Sequence, residues 1–383
     1  MSQPRVVVAM SGGVDSSVAA LLLKQQNYDV IGVTMRLWST PESETTSSQH
    51  RGCCSVEEVE DARRVCQILD IPHYFLNFER EFQEHVIDYF VQEYAKGRTP
   101  HPCLACNDKI KFNFLLRRAL FMEASHIATG HYARISWDNN TWVLYKGLDV
   151  TKDQSYVLHT LRQDELSRTL LPLGQYTKTQ IRGFARAANF PNADKPDSQE
   201  ICFIPSGDYR AFVKERLVSS PGNIVDTSGT VLGTHEGIES FTIGQRRGLG
   251  IHSEVPLFVL RIDSKESIIV VGTADQLFTD TFLASGINYP SGLPNTATQN
   301  ALCNEIEITA KIRYKASEAP AVLYPRGTDA YIKFNSPQRA ITPGQAVVFY
   351  QGDRLLGGGT IESLEESSTP KASTSVSGSH IQV

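Results

Sequence analysis

The first 200 or so residues alternate short, nearly continuous apolar runs with stretches whose apolar residues recur at helical spacing. A short all-apolar run fits a strand buried on both faces, and its alternation with helical periods marks stacked βαβ units around a parallel sheet. The pattern predicts strands over Val6–Met10 and Val30–Met35, helices over Val18–Lys24 and Val56–Leu69, and a further buried strand beginning over Ile127–Thr129. The Ser- and Thr-rich stretch 39–50 reads as a loop excursion within this α/β unit. Near residue 205 the character changes. From Gly222 onward short runs such as Gly229–Gly233, Ile268–Val271 and Glu307–Tyr314 are separated by Gly, Pro, Asn and Asp, which predicts all-β modules in the form of small barrels. The expected domains are 1–205, 206–280 and 281–364, followed by a Ser/Thr-rich tail over 365–383 too poor in apolar residues to order itself. No internal repeat is evident.

A chain of 383 residues exceeds one average core, in keeping with several domains. Hydrophobic residues at 41% and charged residues at 21% are ordinary for a soluble globular protein, and no apolar run approaches the roughly 20 residues of a membrane span. No basic, cleavable leader precedes the first strand, so the expected location is the cytoplasm. Seven cysteines, an odd number, argue for reduced thiols over a secreted disulfide framework. A net charge of -5 excludes wholesale coating by nucleic acid. Local basic faces remain at Arg117 with Arg118, Arg182 with Arg186, Arg246 with Arg247, and Lys311, Arg313 and Lys315.

The first strand breaks into Ser11-Gly12-Gly13-Val14-Asp15-Ser16-Ser17 before apolar periodicity resumes. A strand ending in Ser-Gly-Gly sets bare amides at a helix start, where the dipole favours an anion. Ser11, Ser16 and Ser17 add hydroxyls, while Asp15 is placed to hold magnesium or to cap the helix. The stretch lacks the lysine of the common P-loop and the glycine spacing of a dinucleotide binder. It resembles the signature of the PP-loop ATP pyrophosphatases, which cleave ATP between the α and β phosphates and adenylate a substrate oxygen.

Cys103 and Cys106 follow two prolines in Thr99-Pro100-His101-Pro102-Cys103-Leu104-Ala105-Cys106. Cys106, expected at a helix start with Lys109 and Lys111 nearby, is the preferred nucleophile because dipole and lysines favour the thiolate. Cys202 lies in an apolar run, where inert packing is an even alternative. A single Cys-x-x-Cys is compatible with metal or redox work but lacks the four ligands of structural zinc. Cys66 and Cys303 read as buried hydrophobes, and Cys53 with Cys54 as undetermined. Adenylation makes a leaving group, and a cysteine persulfide with a second thiol would supply the attacking sulfur.

Over residues 5–360 the chain resembles the bacterial tRNA-uridine 2-sulfurtransferases, or tRNA-specific 2-thiouridylases. The resemblance rests on Ala9 through Ser16, Thr99 through Asn107 with Ile110-Lys111-Phe112, Ala128 through Arg134, Lys152 through Tyr156, Ser198 through Phe203, Gly244-Gln245-Arg246 and Thr342 through Gln345. It implies a PP-loop α/β domain, a small central domain and a C-terminal β-barrel that binds tRNA. It also implies ATP-dependent 2-thiolation of the wobble uridine, position 34, through adenylation of O2 and sulfur transfer from a persulfide. ATP contacts are implied at Ala9, Met10, Ser11, Gly12, Gly13, Val14, Asp15, Ser16, Met35 and Gly130. Cys202 is implied as the persulfide carrier and Cys106 as its partner, able to form a disulfide with it. His101, Pro102 and Cys103 would face the target base. His131, Lys152, Asp153, Gln154, Arg313, Tyr314 and Gln345 would touch tRNA. Many family members carry Asn-Pro-Asp where this chain has His101-Pro102-Cys103, so Cys103, Cys106 and Cys202 permit a three-thiolate set for a 4Fe-4S cluster. Expected cofactors are ATP and Mg2+. Expected partners are tRNA and a sulfur-relay protein or cysteine desulfurase, with no membrane. Two other readings stand beside this one: a PP-loop synthetase or amidotransferase using ammonia, and a non-catalytic nucleotide or iron-sulfur sensor that binds RNA.

Overall fold

The computed structural model describes residues 3–38, 56–197, 201–204, 206–293 and 305–362. The 39–50 excursion, Cys53, Cys54, Ser198, Cys303 and the tail lie outside the described residues.

The all-apolar runs form a parallel sheet, with the order β3-β2-β1-β4-β7. Its strands are β1 (Arg5–Ala9), β2 (Asp29–Arg36), β3 (His73–Asn77), β4 (His126–Ala128) and β7 (Thr169–Leu170). Alternation along β1 explains why its run is unbroken. Val7 and Ala9 enter one core and Val6, Val8 and Met10 the core on the opposite face, so every position is apolar. Helix α1 (Val14–Gln25) lies on the second face with α2 (Val56–Ile68) and α3 (Lys178–Ala187). α1 starts four residues before the Val18 that apolar periodicity suggested, because Gly13, extended at φ −86°, is its N-cap and the polar first turn belongs to the helix. The first face is covered by a helical block of which only a helix start at Cys106 was expected. It runs over 79–95 and 102–121, and Gln83–Ile87 and Cys106–Leu115 are wound as wider π-helix.

β5 (Ala133–Asp138) and β6 (Thr141–Lys146) form a hairpin that leaves the first sheet. The central domain holds β8 (Gly222–Val225), β9 (Val231–His235), β10 (Phe258–Asp263) and β11 (Ile268–Gly272) in the order β10-β11-β8-β9. The predicted run Gly229–Gly233 starts as a turn, with Gly229 at φ +89°, and becomes strand at Val231. Then come β12 (Phe278–Asn288), β13 (Ile306–Lys311), β14 (Ala319–Arg326), β15 (Asp329–Arg339), β16 (Ala346–Gln351) and β17 (Arg354–Ile361). They pair in the order β12-β15-β14-β13-β16-β17, and β12 pairs again with β17 to close a barrel. β13 stops at Lys311, short of the predicted Tyr314.

The barrel is built onto the α/β domain. The hairpin continues the barrel sheet, with Tyr145 opposite Arg354. Ala346, Val348, Tyr350 and Leu355 of the barrel share one core with Phe112, Leu144 and Tyr156. The fully buried Tyr156 donates its hydroxyl to the Ala346 carbonyl at 2.8 Å, and Asn288 donates to the carbonyls of His159 and Leu161 at 2.7 and 2.9 Å. Arg98 pairs with Glu362 across the same junction. The central domain leans on the helical block through Tyr209 stacked on Tyr94, ring centres 4.9 Å apart.

Truncating Tyr156 should open a cavity between two domains. Tyr156→Ala is expected to lose about 3–5 kcal/mol, whereas Tyr156→Phe, losing one hydrogen bond, is expected to lose about 1 kcal/mol. Thermal unfolding reads both. An unchanged midpoint for Tyr156→Ala would mean that the ring does not join the domains.

Candidate nucleotide and thiol site

In the first sheet the chain steps from β1 outward to β2 and β3, then returns to the other side of β1 as β4. The crevice outside the carboxyl ends of β1 and β4 is the switch point where such sheets bind ligands. Ser11, Gly12 and Gly13 follow β1 there, and Gly130 follows β4. Gly12 sits at φ +74°, and a Cβ on it would lie 2.2 Å from the Glu58 carbonyl of α2, so only glycine fits. A Cβ on Gly130 would meet the backbone of Asp15 and Ser16 at 2.8 Å. The Ser16 and Ser17 hydroxyls donate to the Gly13 carbonyl at 3.1 and 3.0 Å, and Asn192 donates to the Gly12 carbonyl at 2.8 Å. These bonds occupy the loop's carbonyls. No side-chain cap is made at Gly13, and the amides of the first turn face the crevice end of the helix.

Asp15 neither caps the helix nor stands open to a cation. Its carboxylate accepts from Lys178 Nζ at 2.8 and 2.9 Å and from the Tyr132 hydroxyl at 2.7 Å. Lys178 also pairs with Asp197 at 2.7 Å, and Asp197 is held in turn by Lys152 at 2.8 Å and Arg182 at 3.3 Å. Those cations hold the Asp197 carboxyl below its usual range against the opposing effect of burial. Below this end of the sheet, Glu58 is pushed up to about 7, first by burial and against the pull of Lys195.

Pro102 opens the second helical run, with His101 extended as its N-cap. The helix therefore starts at Pro102, which puts Cys103 in its first turn and the buried Cys106 about one turn in. This corrects the expected placement of Cys106. Lys109 is paired with Asp108, and the charge of Lys111 reaches Cys103 and His131. Cys106 is buried in the apolar cluster against which Ile201 and Cys202 pack, so the two thiols predicted to cooperate border the same cluster. Cys103 opens to solvent, yet the protein around it pushes its thiol up, against the opposing pull of Lys111. Among the described residues no three or more Cys, His, Asp or Glu side chains are gathered to hold a metal. Cys103, Cys106 and Cys202 are accordingly not gathered into a three-thiolate set.

Beside Cys103, His101 lies 6.1 Å from Tyr156 and 6.3 Å from Tyr314, ring centre to ring centre, with Lys311 5.8 Å from both tyrosine rings. Burial pushes His101 down to about 4, so the ring is neutral near pH 7, and its Nδ1 is buried without a partner. This aromatic wall stands at the domain junction. Several residues expected at an RNA surface are instead engaged internally. His131 is buried and bonded to Thr129 at 2.7 Å. Lys152 holds Asp197, Asp153 accepts from the amides of Gly147 and Ser155, and Gln154 accepts from the Tyr132 amide. Arg313 donates to the Ala340 carbonyl, and Gln345 donates to the Thr99 carbonyl at 2.8 Å. Met35 is buried at the end of β2.

Three family models match the chain in succession. They are described as a tRNA methyl transferase HUP domain over residues 4–206, a tRNA methyl transferase PRC-barrel domain over 210–273 and an aminomethyltransferase beta-barrel domain over 279–361. A protein of Carboxydothermus hydrogenoformans named tRNA-specific 2-thiouridylase MnmA is 50% identical over 367 residues, 94% of this chain and 98% of that protein. The chain belongs to the tRNA-specific 2-thiouridylase family. Another thiouridylase, from Natranaerobius thermophilus, is 48% identical over 367 residues with the same coverage. The expected architecture of a thiouridylase, a parallel-sheet domain followed by a PRC-barrel domain and a β-barrel, is the one observed. Tyr132, Lys178, Asn192 and Asp197, which bond to the loop or to Asp15 and Lys178 beside it, lie far from it in sequence and were not among the expected site residues. One local signal was available. Thr177 and Gln180 form a capping box that puts Lys178 in the first turn of α3, where the helix dipole disfavours a cation.

Gly12→Ala should abolish nucleotide binding, since its Cβ meets the Glu58 backbone, and not a movable side chain, and so must displace the loop. Equilibrium binding of labelled ATP checks this, with circular dichroism as the control. Wild-type affinity in the variant would remove Gly12 from the site.

Proposed function

We infer that this chain is an ATP-dependent tRNA-uridine 2-sulfurtransferase, and membership of the thiouridylase family over 94% of its length carries the reading. The wobble uridine at position 34 is the proposed target. ATP lies with its phosphates on the amides after β1, at Ser11 through Ser16, and its remaining contacts fall at Ala9, Met10, Met35 and Gly130. The uracil O2 attacks the α phosphorus and pyrophosphate leaves. This step converts oxide, a poor leaving group, into AMP.

A persulfide on Cys202, loaded by a relay protein or a cysteine desulfurase, attacks C2 through its terminal sulfur. The Cys106 thiolate then attacks Cys202 Sγ, forming the Cys106–Cys202 disulfide and breaking the persulfide S–S bond. The electron pair passes to the sulfur on C2, AMP departs as C2=S forms, and an external thiol reductant restores both cysteines. That both thiols border one apolar cluster supports this pairing. The uridine leaves the anticodon stack for the junction, where the half-buried His101 and Tyr314 offer aromatic faces. A neutral His101 suits such contact with an uncharged base.

Magnesium would enter with the ATP phosphates. Asp15, the carboxylate expected to hold it, is occupied by Lys178 and Tyr132 and does not fit that role in this arrangement. The three thiols are not arranged for an iron-sulfur cluster, and none is invoked. The exposed Arg117, Arg118, Arg246, Arg247 and Lys315 suit the RNA backbone better than the internally bonded Arg313 and Gln345.

Cys202→Ser should abolish 2-thiouridine in tRNA while leaving tRNA-dependent pyrophosphate release. Cys106→Ser should do the same and let a covalent Cys202 adduct accumulate. Nucleoside analysis by mass spectrometry reads the product. Continued thiolation by Cys202→Ser would defeat the relay, and pyrophosphate release without tRNA-dependence would favour a nucleotide sensor.

A further inference from the structure

The nucleotide loop has no lysine of its own. The structure brings one to it from 163 residues further along the chain. The Lys178 side chain is 11% exposed, and its Nζ is shared between Asp15, in the first turn of α1, and Asp197. Two features mark this lysine. It occupies the first turn of α3, against the helix dipole, a local penalty that its two ion pairs must offset. It is also the one ammonium among the described residues that pairs with Asp15, in the first turn after the loop.

We propose that Lys178 is a phosphate-binding residue of this enzyme, held ready by Asp15 and Asp197, and that ATP competes with Asp197 for its Nζ. On binding, a phosphate oxygen takes the place of the Asp197 carboxylate, while Asp197 stays anchored by Lys152 and Arg182. Asp15 keeps its bonds from Tyr132 and Lys178 and so fixes the lysine beside the helix start. The loop then needs no internal lysine, because the cation reaches it from a separate helix, and when the phosphate leaves the ammonium pairs again with Asp197. The proposal rests on the reading of the loop as an ATP site but not on the sulfur chemistry.

Competition makes the two partners' substitutions act with opposite sign. Lys178→Ala should weaken ATP binding, measured by calorimetry without tRNA, by about tenfold or more, the loss of one charge-assisted contact. Lys178→Arg should recover most of it. Asp197→Asn, nearly isosteric and still bonded to Lys152, should tighten ATP binding by roughly two- to fivefold, since a competitor for the ammonium is removed. A merely structural brace predicts weaker binding for both. Unchanged affinity in Lys178→Ala, or affinity in Asp197→Asn that equals or falls below wild type, overturns the proposal. If Lys178→Ala does not fold, the Asp197→Asn result decides alone. Thiouridine formation by the wild-type enzyme is scored separately, so failure of the sulfurtransferase reading is distinguishable from failure of this one.

Discussion

Everything at the reactive end of this molecule depends on one apolar core being shared by two domains. Tyr156 and Phe112 come from the α/β domain, Val348, Tyr350 and Leu355 from the barrel, and none of these can be withdrawn without exposing the others. Burial of side chains of this size contributes about 1.5–3 kcal/mol each, which holds two otherwise separate folds in fixed register. Cys106 lies in that core and Cys202 packs against it. The placement of both thiols is therefore a property of the junction.

The nucleotide end obeys a different physics. There the backbone does the selecting, through a glycine that no other residue replaces and a helix start without a capping side chain. Charges are paired around it instead of being left open. Asp15, Lys178, Asp197, Lys152 and Arg182 form a continuous ionic chain at the mouth of the sheet. Partly buried pairs of this kind are screened less by salt than surface ones and are worth more as geometry than as stability.

The fold was largely legible where periodicity was local. The unbroken run Val6–Ala9 announces a two-faced strand, and the Ser-Gly-Gly turn announces an anion site, because both signals lie within a few residues. Beyond a helix start at Cys106, the helical block over 79–121 was not legible, since its apolar residues answer to two surfaces, the sheet and the barrel, and its winding widens at Gln83–Ile87 and Cys106–Leu115. Cys106 was expected at the start of its helix but lies a turn further in, because the proline that starts the run is Pro102. Residues such as His131, Gln345 and Arg313 carry polar side chains that suggest an exposed role. Tertiary contacts turn them inward, as the bond from Gln345 to Thr99 across the domain junction illustrates.

The hairpin of β5 and β6 finds its barrel neighbour, β17, only roughly two hundred residues later in the chain. During synthesis the α/β domain must wait with a naked strand edge and half a core until the final barrel strand leaves the ribosome. Pairing that late is slow and vulnerable to wrong partners. The late pairing of hairpin and barrel thus carries a kinetic liability.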